Sequence, residues 1–261
     1  MPQSIVRFMI DMNMYLFLFL YQTGEDFFIY LGGAMRKMKF YTELAYVLGI
    51  AALALGTALM ERADFGLSMV VAPAYLIYLK LSPVWGFVTF GMAEYTLQAC
   101  LLAAMALILR QFRISYLFSF VTAVIYGFAL DGSMTLVALF GSGSIVWRIS
   151  FYAVGLLLCA GGVALIFRTY IAPEVYELFV KKVSAKLRCD ISRFKVIYDC
   201  ASCLIAVVLS FMFFGWWHFE GVKLGTVVCA LVNGWLIGFI GRWLDSRLDF
   251  ADALPLRRWF D

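Results

Sequence analysis

Between Lys195 and Gly241 the chain carries two apolar segments, Val196–Phe214 and Leu224–Ile240, each long enough to cross a bilayer, and the first holds Asp199 near its start. A carboxylate at membrane depth costs about 3 kcal/mol unless it faces a partner, an ion or a wet cavity. The surroundings of Asp199 must supply one of these. Hydrophobic residues make up 64% of the chain and charged ones 15%, against roughly a quarter charged in a soluble domain. The class is therefore an all-α polytopic membrane protein embedded in a lipid bilayer. The six Cys fall mostly inside apolar segments, which argues against an extracellular disulfide framework.

Residues 1–40 read as an N-terminal extension. Its apolar run Met14–Tyr21 is too short to span, and the basic stretch 35–40 looks like an ordinary start, so residues 1–34 are either a peripheral extension or an over-called beginning. A single transmembrane domain follows over 41–245, with a tail over 246–261. Its expected spans are Leu44–Met60, Phe87–Leu109, Ser115–Leu130, Ser150–Phe167, Val196–Phe214 and Leu224–Ile240. Two further segments, Gly66–Leu81 and Pro173–Arg188, are too short to cross and read as half-helices that return to the side they came from. That layout puts sixteen Lys and Arg on one side and only Arg62, Lys80, Arg148 and Lys223 on the other. Full-length crossings by the two short segments would split the basic residues between Lys181 and Lys195 across the bilayer. The positive-inside bias thus selects six spans with both termini cytoplasmic.

An internal repeat points the same way. Tyr46, Gly49, Gly56 and Arg62 recur 106 residues later as Tyr152, Gly155, Gly162 and Arg168; Glu94 falls opposite Asp199, and Ser119 opposite Thr226. Each unit, 44–131 and 150–245, reads as span, half-helix, span, span. Three crossings per unit place the second copy upside down, the arrangement of many alternating-access transporters, whose sites lie where broken helices meet near the midplane.

The second half carries Ala172-Pro173-Glu174, Lys195-x-x-x-Asp199, Ser210, Phe213-Phe214-Gly215 and Gly221-x-x-x-Gly225-Thr226 leading to Gly234. The first half carries Gly49, Gly56, Ala58-Leu59-Met60, Gly66-Leu67-Ser68 and Gly127-x-x-x-Asp131. Over about residues 41–241 this pattern resembles the YczE/YyaS/YitT family of bacterial membrane proteins, departing from it at Met69 and at Phe118-Ser119. The resemblance implies a transporter or permease of undefined substrate in the bacterial cytoplasmic membrane.

Eight residues are candidates for binding a substrate or ion. Glu94 and Asp199 read either as a pair of carboxylates that bind a cation or carry a proton, or as structural groups, with Asp199 paired to Lys195 and Glu94 in an outer vestibule beside Gln98. Glu174 and Ser68 stand where they can cap the two half-helices. The N–H groups of Leu67–Val70 could instead receive an anionic substrate. Thr226 serves helix contact or a ligand, and Asn233 an interhelical hydrogen bond or substrate; Asp131 closes the third span. Cys200-Ala-Ser-Cys203 lies inside a span with one His, His218, in the whole chain, so it reads as packing and no metal or cofactor is assigned. No phosphate loop or nucleophile triad is found, which leaves an enzyme reading without residues, and nothing points to nucleic acid. The expected function is a small-solute permease, proton- or cation-coupled. The alternatives are a membrane anchor with a protein partner at 173–195, and a substrate-binding subunit of a multi-component importer.

Overall fold

A computed structural model describes residues 37–141, 144–189, 191–215 and 222–254. The chain forms helices α1 (Thr42–Ala63), α2 (Ala72–Leu81), α3 (Phe90–Leu109), α4 (Ser115–Ala138), α5 (Ile145–Ile166), α6 (Val175–Leu187), α7 (Ile191–Phe214) and α8 (Leu224–Arg247). Among the described residues, five helices are long and apolar enough to cross a membrane, and α8, bent by 42° between Ala230 and Val232, makes a sixth when taken as one span. At 1.5 Å per residue, α2 and α6 reach about 15 and 20 Å, short of a hydrocarbon core of about 30 Å.

The boundaries depart from the expected ones in instructive places. The third span runs two turns past Leu130, so Asp131 sits inside a helix. The first half-helix starts at Ala72, not at Gly66, and residues 64–71 form an irregular connection with turns at Asp64 and over 69–71. Asp64 closes α1 in the left-handed conformation, and Gly66 turns the chain inward at φ 108°. A side chain at Gly66 would be strained there, and its Cβ would lie 2.5 Å from Thr226 Oγ1. The chain ends also differ from a plain extension and tail: β1 (Met38–Tyr41) pairs in parallel with β2 (Leu248–Ala251). The Glu43 carboxylate accepts hydrogen bonds from the Ala253 and Leu254 amides and from the Tyr170 hydroxyl, fastening the junction. Residues 1–36, His218, Trp216 and Trp217 lie outside the described residues.

The bundle is organised on the α1–α5 crossing. Small residues let the two backbones meet: a Cβ on Gly49 would lie 3.0 Å from the Gly162 carbonyl oxygen, and one on Gly56 2.6 Å from that of Gly155. Exchanging each residue for its repeat mate turns one contact into the other, as a twofold axis through an antiparallel crossing requires. The same exchange relates the packing of α4 on α1 to that of α8 on α5, and the packing of α2 on α7 to that of α6 on α3. Each half-helix is thus lodged against a long helix of the other repeat. The symmetry is incomplete: α3 and α4 meet closely at Gly91 and Gly127, whereas α7 and α8 do not pack in this way and a Cβ on Gly234 would meet nothing within 4 Å, and α4 rests on α6 without a matching contact of α8 on α2.

Polar contacts sort the two ends of the bundle. At one end Asp64 pairs with Arg148 (3.1 Å) and Lys223, Arg62 donates to the Phe140 carbonyl, and Lys80 to that of Phe213. These are the four basic residues assigned to the sparse side. At the other end Arg168 pairs with Asp245, and Lys186 donates to the Ile108 carbonyl. Both half-helices return to the end they left.

Candidate functional site

α6 begins inside the bundle because its apolar face, Val175, Phe179 and Val183, packs against Leu102 and Met105 of α3 and against Tyr116 and Ala123 of α4. Its first turn therefore opens onto the middle of α3. There the side chain of Gln98, fully buried, accepts a hydrogen bond from the Val175 amide through Oε1 (3.1 Å). That bond satisfies one of the free N–H groups every helix start leaves. It also fixes the amide orientation, since only the oxygen can accept. Gln98 Nε2 consequently faces two acids, donating to Glu174 Oε2 at 3.1 Å and to Glu94 Oε1 at 3.4 Å.

This corrects two expectations. Glu174 is the N-cap residue of α6, yet its side chain makes no capping bond; Gln98, from another helix, caps in its place and leaves the carboxylate turned inward. Glu94 is 0% exposed, which rules out a wet outer vestibule. Glu94 Oε2 and Glu174 Oε1 have no hydrogen-bond partner. The Tyr176 hydroxyl, also buried, lies against Glu94, where its O–H can donate to the carboxyl. Burial pushes the carboxyl of Glu174, which lies outside the spanning helices, well above the usual carboxylate range, and the neighbouring charges of Glu177 and Glu94 add to the effect.

The other candidates lie elsewhere. Asp199 pairs with Lys195 at 3.7 Å, one turn earlier on α7, and is partly exposed. Asp131 accepts from Thr89 Oγ1 (2.6 Å) and the Gly91 amide (2.8 Å), so it fastens the start of α3. Thr226 Oγ1 accepts from the Lys223 amide at the start of α8, next to Gly66. Ser68 does not cap α2, whose N-cap is Val71; its carbonyl accepts from the Val71 and Ala72 amides instead. Asn233 lies in α8 with its Oδ1 buried and unpartnered. Sequence reasoning did not single out Tyr176, or the buried pair Thr57 and Tyr126 (3.0 Å) that joins α1 to α4. Tyr176 stands two residues after Glu174, and that adjacency was its one visible signal.

Fold and site together define a multi-pass all-helical membrane protein with an acid cluster at the buried start of a half-helix. The chain belongs to a family of unknown function, DUF6198, whose model matches residues 40–242. Neither a curated protein nor a solved structure matches it.

Proposed function

We propose that the chain is a small-solute transporter of the bacterial cytoplasmic membrane, working by alternating access between its two inverted repeats, with both termini inside the cell. The observation that carries the reading is the Glu94–Gln98–Glu174 cluster. It gathers two carboxylates at the start of a half-helix that one repeat lodges in the other, so relative movement of the repeats changes the surroundings of both acids. Asp199, the repeat mate of Glu94, is the second candidate coupling carboxylate. The earlier likeness to the YczE/YyaS/YitT permeases agrees with this reading.

The test is uptake by the purified protein reconstituted alone. Vesicles exposed to a mixed pool of small solutes are analysed for their contents by mass spectrometry, with empty vesicles as reference. A solute should enter only the protein-containing vesicles, and Glu94→Gln or Asp199→Asn should reduce that entry with the fold intact. No entry of any solute, or entry unaffected by both substitutions, would sink the proposal. Exposed Lys181 on α6 and Arg188 at its end favour a second reading, a protein partner docking at 173–195. Under it, charge reversal at those positions removes the partner while Asp199→Asn has no effect.

A further inference from the structure

We propose that the corner where the α3–α4 turn meets the end of α6 binds the head of an anionic phospholipid, through Arg110, Arg113, Lys182, Lys186 and Arg188. The inference needs only the membrane class of the fold and holds whether or not the chain carries a solute. Lys186 Nζ donates to the Ile108 carbonyl, and Lys182 Nζ lies 5.9 Å from the centre of the Tyr116 ring. Ile108 and Tyr116 flank the turn over 110–114, so the two lysines straddle the turn that carries Arg110 and Arg113. Arg188 closes α6 two residues beyond Lys186. Among the described residues, none of the five forms an ion pair with an acid. Like charges gathered at one corner repel one another, and an anion relieves that repulsion.

The inverted repeat supplies an internal comparison. Lys80, at the end of α2, is the mate of Lys186 and donates to the carbonyl of Phe213, the mate of Ile108. The lysine contact is made at both ends of the bundle and so belongs to the fold. The charge around it does not: Lys182 is matched by Leu76, Arg188 by Ser82 and Arg110 by Gly215. One corner keeps its packing without these cations, and packing therefore does not explain them at the other. Orientation in the bilayer counts basic residues near span ends wherever they fall. It gives no reason for the turn and the end of α6 to bring theirs together.

The depth of the corner selects a lipid. The turn joins two helices long and apolar enough to cross the membrane, which sets it at a membrane face. Phe112 and Ile114 on the turn and Leu187 beside Arg188 are 56%, 76% and 60% exposed. Apolar side chains interleaved with basic ones suit the boundary between headgroups and acyl chains, where each finds its own surroundings. Basic clusters beside the ends of spanning helices attract anionic headgroups at that level. A soluble anion would leave the apolar residues without a role.

Thermal unfolding of the purified full chain in neutral detergent tests this, titrated with phosphatidylglycerol, with phosphatidylcholine of the same acyl chains, or with glycerol phosphate. Phosphatidylglycerol should raise Tm by about 3 °C or more near saturation, the other two by much less. Each variant is read against its own lipid-free Tm. Arg110→Gln combined with Arg113→Gln should raise the half-saturating concentration at least about tenfold, taking about fivefold for each basic residue at a membrane surface. Lys186→Gln should raise it about fivefold, and Lys80→Gln, its mate at the other end, should leave it unchanged. Should the double variant fail to elute as folded protein, Arg188→Gln on the exposed end of α6 should give about a fivefold rise in its place. An equal Tm rise with phosphatidylcholine would mean solvation by acyl chains alone, and an equal rise with glycerol phosphate a site for free anions. No rise at all, or a half-saturation unmoved by the substitutions, is the result for residues that serve only orientation or a protein partner. Any of these would overturn the assignment.

Discussion

Replacing Gln98 by Leu keeps the approximate volume of the side chain and removes all of its hydrogen bonds. The Val175 amide then has no acceptor at the buried start of α6, and Glu174 loses its donor. Each buried polar group left unsatisfied costs about 1–3 kcal/mol, so the two together predict a loss of about 2–6 kcal/mol. The 3.4 Å contact to Glu94 is long and adds little. For a chain of this size each kcal/mol is worth roughly 2–4 °C, so Tm should fall by at least about 4 °C. Thermal unfolding of the purified protein, followed by loss of its monodisperse peak, measures this. Pairing the change with Glu174→Gln shows whether the residues act as a unit. The double variant should be less destabilised than the sum of the singles, because once Gln98 is gone the Glu174 carboxylate is the group left uncompensated. A Gln98→Leu protein with wild-type stability, or strict additivity in the cycle, would refute the view that Gln98 is both the cap of α6 and the donor to its acid.

Two further outcomes follow from the packing. Gly56→Val should destabilise by about 1–3 kcal/mol or more through overpacking at the α1–α5 crossing, because its Cβ meets the Gly155 carbonyl and Cys159 Sγ within 2.8 Å; Gly161→Ala, where a Cβ meets nothing within 4 Å, serves as the control in the same unfolding assay. Asp131→Ala removes the acceptor of Thr89 and of the Gly91 amide and should cost about 1–3 kcal/mol, with hydrogen exchange rising first at residues 89–93.

The span pattern was legible because apolar length and basic flanks report directly on the bilayer. Arg62, Lys80, Arg148 and Lys223 do gather at one end of the bundle. The repeat was legible through Gly49, Gly56, Gly155 and Gly162, since close backbone contact tolerates few other residues. Glu94, Gln98 and Glu174 were each picked out, and the contact of Gln98 with Glu94 was legible from their spacing of four residues, but the bonds by which Gln98 joins the start of α6 to Glu94 were not. They depend on α6 entering the other repeat, which no local pattern encodes. The capping assignment of Glu174 failed for the same reason, because local preference places the acid on its own helix start and a distant amide had already taken that role. Asp131 looked functional as a charge at a span end, yet its partners lie about 40 residues away at the start of α3. The β1–β2 pairing was invisible because four-residue strands leave almost no periodic signal.

The lodging of α2 on α7 and of α6 on α3 has a consequence for how the molecule comes apart. Severing the link near Gly141 would yield two fragments, neither of which is a self-sufficient unit. Each would present an empty berth where its sibling's wedge belongs and a wedge of its own with nowhere to sit. Co-produced fragments should therefore find one another in the membrane, while either one made singly leaves buried surface bare to lipid.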